Sequence, residues 1–258
     1  VNPGSIIEKI DGTDIKAGED YNALLDGKAG KNIRLTIKNA KGKRFDLTIK
    51  AISQGAQQEL LYKRWVDRNR AIVDSVSHGR IAYVHVKAMN SESFRTVYSE
   101  LLSEKNRTKD AVIVDERHNG GGWLHDDLCT LLSGKQYQEF VPHGKVVGKD
   151  PFNKWTKPSC VLICEDDYSN GHGFPWVYKE LGIGKLIGAP VAGTMTAVWW
   201  ETLMDRSLVF GIPQVGCRDM RGTFGENTQL NPDIEVDNSP EDYITGHDTQ
   251  LNRAVEEK

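Results

Sequence analysis

The sequence predicts an α/β fold for most of the chain, preceded by a smaller β-rich segment. Three observations carry this. From residue 79 onward, short apolar runs alternate with segments of helical character. Those apolar runs, in RIAYVHV, DAVIVDE and SCVLICE, are nearly continuous, as expected of strands covered on both faces. Residues 5–50 instead show period-two alternation broken by Gly-containing turns.

In order along the chain, SIIEKIDGTDI places Ile6, Ile7 and Ile10 before an Asp-Gly turn and Ile15 after it. EDYNALLDG reads as a short helix with a Gly stop. NIRLTIKNAKGKRFDLTIKAI alternates through Ile33, Leu35 and Ile37, turns at NAKGK, and alternates again through Phe45, Leu47 and Ile49, which predicts a hairpin with one buried face per arm. Residues 56–75, AQQELLYKRWVDRNRAIVDS, lack Gly and Pro and are rich in helix formers. They read as a helix linking two domains, with Leu61, Trp65 and Ile72 on one face. The division expected is residues 1–52, a linking segment 53–78, and a core 79–258.

In the core, RIAYVHV is a strand. SESFRTVYSELLSE is a helix with Ser91 as N-cap and Phe94, Val97 and Leu101 as its apolar stripe. DAVIVDE is a strand running into Arg117-His118-Asn119-Gly120-Gly121-Gly122. GWLHDDLCTLLSG is a helix stopped by Gly134. SCVLICE is a buried strand that leads to Ser169 and another helix, and KLIGAPVAG is a short strand and loop.

Composition narrows the function classes. The chain has 258 residues, 27% of them charged, with a net charge of -3. That balance argues against a dedicated nucleic-acid binder, and no apolar run reaches membrane-spanning length. The start at Val1-Asn2-Pro3-Gly4, without Met, reads as the middle of a longer chain. The cysteines Cys129, Cys160, Cys164 and Cys217 form no C-x-x-C pair, and the 160/164 spacing suits buried thiols on one strand face better than a metal site. None of the seven histidines has a recognised metal-binding spacing, so neither metal nor cofactor is expected.

Three stretches could carry chemistry. Three successive glycines in DERHNGGGW, between a strand and a helix, can leave N–H groups facing a cleft, where they could hold an oxyanion or a phosphate, or form no more than a flexible turn. The spacing is not that of a P-loop. Ser169 sits just before a helix, where capping is its ordinary role, and the Asn170 N–H would face whatever Ser169 attacked. Glu226, in FGENTQLNPDIEV, taken alone is one surface carboxylate among many. His172 is three residues from Ser169, but nearness in sequence does not make a nucleophile–base pair.

Together these stretches resemble a known family. DERHNGGG is similar to the Asp-x-Arg-x-Asn-x-Gly-Gly signature of the C-terminal processing (S41) serine peptidases. YKRWVDRNRAIVDSVSHGRIAYVHVKAMN, YSNGHGFPWVYKELGIGKLIGAPVAGT and GENTQLNPDIEVDNSPEDYITGHDTQL resemble its tricorn-like branch, and PGSIIEKIDGTDI resembles the second half of a PDZ domain. The resemblance implies a crotonase/ClpP-like ββα peptidase core behind a partial PDZ-like domain. It implies Ser169 as nucleophile, the N–H of Gly121 or Gly122 and that of Asn170 as oxyanion donors, and Glu226 at the far end of the relay. The branch usually carries Asp where this chain has Asn170, a departure that keeps the backbone N–H. It also implies that the general-base His and an assisting Ser precede the PDZ domain, outside this chain. The implied partners are peptides or unfolded proteins and a second copy of the chain in a homo-oligomer, with no nucleic acid and no membrane insertion. The implied location is the bacterial envelope, with the cytosol as the alternative. Two other readings stand beside the peptidase: a peptide-binding module without catalysis, and acyl transfer on a small molecule.

Overall fold

The alternating isoleucines and leucine of residues 33–37 form the centre of a small antiparallel sheet. The computed structural model describes residues 1–257, and the chain divides into two units between Val66 and Asp67. The first unit holds β1 (Ile6–Ile10), β2 (Thr13–Asp14), β3 (Asn32–Lys38) and β4 (Arg44–Lys50), in the order β2-β1-β3-β4. Asp11 and Gly12, at φ 48° and 87°, make the tight turn between β1 and β2. Ile10, Ile33, Leu35 and Ile37 are its core.

The hairpin pairs Ile33 with Ile49, Leu35 with Leu47 and Ile37 with Phe45. Burial of both arms, expected from the alternation, holds only for β3. Phe45 and Ile49 stay 36% and 38% exposed because β4 is an edge strand. The helix expected near residue 22 is a single 3-10 turn, Tyr21–Leu24, capped by Asp20, since four residues cannot offset the cost of nucleating an α-helix. The long helix forms as α1 (Gln54–Val76), and the boundary between the units falls inside it.

The second unit runs β5 (Ile81–His85), α2 (Ser91–Leu101), α3 (Glu104–Arg107), β6 (Ala111–Asp115), α4 (His125–Leu132), β7 (Gln138–Phe140), β8 (Gly148–Asp150), β9 (Ser159–Ile163), α5 (Asn170–Glu180) and β10 (Lys185–Gly188). It continues with β11 (Ala197–Thr202), β12 (Val209–Val215), β13 (Ile234–Glu235), α6 (Pro240–Thr245) and α7 (Thr249–Glu257). Its main sheet has the order β13-β10-β9-β6-β5, with every neighbouring pair parallel. Every residue of β5, β6 and β9 is buried, which explains why these strands read as unbroken apolar runs. Val84, Val112, Val114, Val161 and Ile163 pack in one cluster with residues of α2, α4 and α5. Alternate residues face the other way. There Tyr83 accepts a hydrogen bond from Asn69 of α1, and α7 packs on β9 and β10. The hairpins β7–β8 and β11–β12 fall in segments for which the sequence predicts no element. No helix among the described residues is long and apolar enough to cross a membrane.

One capping assignment changes. Ser91 is the first helical residue of α2, and Asn90 is the cap, its Oδ1 accepting the Ser93 N–H at 2.9 Å. Asn90→Ala is therefore expected to cost about 1 kcal/mol in urea unfolding, while Ser91→Ala stays within about 0.5 kcal/mol. Equal costs for the two changes would contradict this cap.

Candidate functional site

Chain direction puts the chemistry-bearing segments together. β6 and β9 are adjacent and parallel, with Asp115 paired to Leu162, so their following loops leave the same sheet edge, where α/β proteins build their sites. The first loop holds Gly120–Gly122 and the second ends at Ser169.

Ser169 occupies φ 57°, ψ -116°, outside the regions a non-glycine residue favours. Such backbone costs of order 1–3 kcal/mol and persists only where its surroundings fix it. Here the Ser169 N–H donates to Thr194 Oγ1 at 3.0 Å, and its carbonyl accepts the N–H groups of His172 and Gly173. Ser169 stands at the cap position of α5, yet its side chain makes no capping bond. The capping role that sequence alone assigned to it is thus taken only by its backbone. Its side chain lines a cleft of about 650 Å³ that also includes Gly122, Asn170 and Glu226.

The Gly-rich loop presses against the serine turn. A Cβ on Gly121, at φ 93°, would lie 2.7 Å from the Ser169 Cβ and 3.0 Å from the Asn170 N, so no other residue fits there. Asn119 holds the two segments in register. Its N–H donates to Asp167 Oδ1 at 3.1 Å, its carbonyl accepts the Tyr168 N–H at 2.9 Å, and its Nδ2 donates to Val86 O at 2.8 Å. The two candidate glycine donors are not equivalent. The Gly121 N–H donates to Asn119 Oδ1 at 2.9 Å, whereas Gly122 lies on the cleft wall.

The Asn170 N–H belongs to the first turn of α5, whose donors have no intrahelical acceptor. Its side chain ties α5 to α4: Oδ1 accepts the N–H groups of Leu124 and His125 at 2.7 and 3.1 Å, and Nδ2 is 2.9 Å from His125 Nδ1. Bonded this way, Nδ2 is the donor and His125 Nδ1 the acceptor.

Glu226 reaches the cleft from the far end of the chain. Its Oε2 accepts the N–H groups of Met195 and Thr196 at 2.9 and 2.7 Å. Hydrogen bonding from the Thr196 side chain, then from the Thr196 and Met195 N–H groups, holds its carboxyl below the ordinary value of 4.5. Residues 194–196 thus anchor both Ser169 and Glu226. Gly193 allows this close approach, because a Cβ there would lie 2.2 Å from the Thr228 N. His172 is 1% exposed, and its Nδ1 accepts the Thr194 N–H at 3.2 Å. Burial pushes its pKa down, and it acts as a neutral prop for the 194–196 segment. His118 is turned toward Asp166, at 3.0 Å.

The polar run before the glycines has a structural role. Arg117 Nε and Nη2 donate to Asp115 at 2.9 and 2.7 Å, and Nη1 and Nη2 to Asp248 at 3.0 Å each. Nη1 also donates to Gln250 Oε1 at 3.0 Å, and the Tyr83 hydroxyl to Asp115 Oδ2 at 2.8 Å. This buried cluster pins the end of β6 to the segment entering α7. On the opposite side of β6, Glu116 is wholly buried, with no hydrogen-bond partner for either carboxyl oxygen. Burial, then Asp167 and Asp115, push its pKa well up, which keeps it neutral.

Ser169, Asn170, Gly121, Gly122 and Glu226, the residues the sequence points to, all lie at or beside this cleft. Asn119 and His172 lie in stretches the sequence marks, but their supporting roles, and that of Thr194, appear only in the structure. Thr194 follows a glycine in the loop after the KLIG strand, which was the one available hint.

Comparison with known proteins agrees in order along the chain. The family model described as Peptidase family S41 matches residues 80–236, and that described as Tricorn protease PDZ domain matches residues 1–54. The tricorn protease of Thermoplasma acidophilum is 29% identical over 254 residues, covering 98% of this chain and 23% of that protein. The tricorn protease homolog of Saccharolobus solfataricus is 29% identical over 202 residues, covering 76% and 18%. A crystal structure of the tricorn protease superposes with TM-score 0.85 and 28% identity over 98% of this chain and 24% of the other. The chain thus spans less than a quarter of the length of these relatives.

Proposed function

Since this chain belongs to peptidase family S41, on its tricorn-like branch, we propose that it carries the nucleophile and oxyanion hole of a serine peptidase that hydrolyses peptide bonds. The observation that carries the reading is the pairing of Ser169, strained and with no side-chain cap, with a glycine loop packed against its Cβ.

In this mechanism the Ser169 Oγ attacks the carbonyl carbon of a peptide bond and gives its proton to a general base. The N–H groups of Gly122 and Asn170 stabilise the oxyanion that forms, and the first turn of α5 adds positive potential. Gly122 is preferred to Gly121, whose N–H already donates to Asn119. The tetrahedral intermediate collapses with cleavage of the C–N bond, and the leaving amine takes the proton from the base. Water, deprotonated by the same base, then hydrolyses the acyl ester, and the proton returns to the Ser169 Oγ. The base is a histidine from a segment outside these 258 residues, positioned through an assisting serine by Glu226. Two observations support that assignment. His172 is buried with Nδ1 accepting from Thr194, and His125 Nδ1 accepts from Asn170. The division into a PDZ-like part (1–52), a linking segment (53–78) and a peptidase core (79–258) belongs to the same reading. The cleft's aromatic lining, Trp123, Tyr168, Trp176 and Trp200, suits side chains of an unfolded peptide.

The test is covalent labelling. A fluorophosphonate serine probe applied to the full-length protein is expected to modify Ser169, identified by peptide mass spectrometry, and to label the 258-residue chain far more slowly. Absence of labelling in the full-length protein would favour a peptide-binding module without catalysis.

A further inference from the structure

Beyond the proposed peptidase chemistry, the two site-forming loops bring together three side chains that no spacing in the sequence connected. His118 follows β6 in the glycine-rich loop, while Cys164 and Asp166 follow β9 in the turn before Ser169. Their nearest donor atoms all lie within 4.8 Å of one another. His118 Nδ1 is 3.0 Å from both carboxylate oxygens of Asp166 and 3.9 Å from Cys164 Sγ. Cys164 Sγ is 2.7 Å from Asp166 Oδ1 and accepts the His118 N–H at 3.1 Å.

From this convergence we propose a binding site for one thiophilic divalent cation of the zinc class, held by His118 Nδ1, Cys164 Sγ and an Asp166 oxygen. Imidazole, thiolate and carboxylate are the three protein ligand types of zinc. A thiolate with an imidazole selects zinc, cobalt or cadmium over magnesium and calcium. Bond lengths of about 2.0–2.3 Å in a tetrahedron separate neighbouring ligand atoms by roughly 3.3–3.6 Å. The observed separations of 2.7, 3.0 and 3.9 Å bracket that range. Small rotations of the His118 and Asp166 side chains, 52% and 61% exposed, bring the three atoms to it.

On binding, the Cys164 S–H bond breaks, its proton goes to solvent and the sulfur lone pair forms the metal bond. Exposure of His118 and Asp166 leaves the fourth position to water. A surface His–Asp pair alone would have little energetic value. The buried thiol adjoining both groups is what distinguishes this cluster from such a pair. The bound ion would cross-link the loop of Gly120–Gly122 to the turn of Ser169, alongside the bonds Asn119 already makes between them. Nothing in this inference depends on Ser169 being a nucleophile.

Titration of the reduced protein with Co2+ tests it. The expected result is one equivalent bound through Cys164 with a near-ultraviolet thiolate-to-cobalt band, displaced by Zn2+. Cys164→Ala removes that band and Cys217→Ala retains it. His118→Gln and Asp166→Asn each weaken Co2+ binding at least about tenfold. The proposal is overturned by the absence of a thiolate band with excess Co2+, or by a band that survives Cys164→Ala. Should Cys164→Ala fail to fold, the two exposed-ligand variants decide, and unchanged Co2+ affinity in both overturns the site.

Discussion

On the proposed mechanism, Ser169→Ala in the full-length protein is expected to lower kcat for peptide hydrolysis by about 10⁴–10⁶-fold, the range for loss of a serine nucleophile in a relay of this kind. KM is expected to change little, because a nucleophilic hydroxyl contributes to the transition state and hardly to ground-state binding. Folding is not the cause of the loss. The removed Oγ makes no capping bond, alanine meets the φ of 57° with the same Cβ as serine, and the stability change stays within about 0.5 kcal/mol. Steady-state kinetics beside a urea titration separates the two effects. Turnover within tenfold of the unmodified enzyme would remove Ser169 from the mechanism.

The second large effect falls on stability. Arg117→Ala leaves Asp115, which is 0% exposed, without its guanidinium, and frees Asp248 and Gln250 from the end of β6. Stranding a buried charge costs roughly 3–5 kcal/mol, a large part of the 5–15 kcal/mol typical of a domain. Arg117→Lys recovers little, since one ammonium cannot reproduce a fork that serves two carboxylates. Five of the six tryptophans lie beyond Val66, so intrinsic fluorescence follows the unit that carries the pair.

A pH signature accompanies the loss. Burial opposes ionisation of Asp115, but Arg117 outweighs it and holds the carboxyl below 3.8. A depressed carboxyl pKa contributes stability above 3.8 that fades as pH falls through the folded value. Arg117→Ala is therefore expected to lower stability at neutral pH and flatten this acid limb. A cost under 1 kcal/mol, or an unchanged acid limb, would mean the cluster is not what fixes β6 to α7.

The sheet was readable because its strands are apolar on both faces, and a strand buried on both sides leaves an unbroken record in sequence. RIAYVHV, DAVIVDE and SCVLICE all became β5, β6 and β9. Elements with weaker records were misread or missed. Phe45 and Ile49 alternate like core residues, but β4 has no neighbour on its outer edge. Ser91 is as good a cap as Asn90 by residue type, and only the backbone geometry separates them. The β11–β12 hairpin exposes Trp199, Trp200 and Phe210, so its apolar residues carry no burial pattern to read.

The candidate site divides the same way. Sequence alone determined the α/β class, the strand-then-loop positions of the glycines and Ser169, and through several separated motifs the family to which the chain belongs. These are local or collinear properties, and residue order records them. Tertiary structure alone decided which N–H groups remain uncommitted, that Thr194 and Asn119 hold the serine turn, and that His172 is a prop. It alone brought His118 to Cys164, 46 positions away. Contacts of that kind are set by the pairing of β6 with β9, which brings two loops to one sheet edge and leaves no spacing in the sequence to mark their meeting.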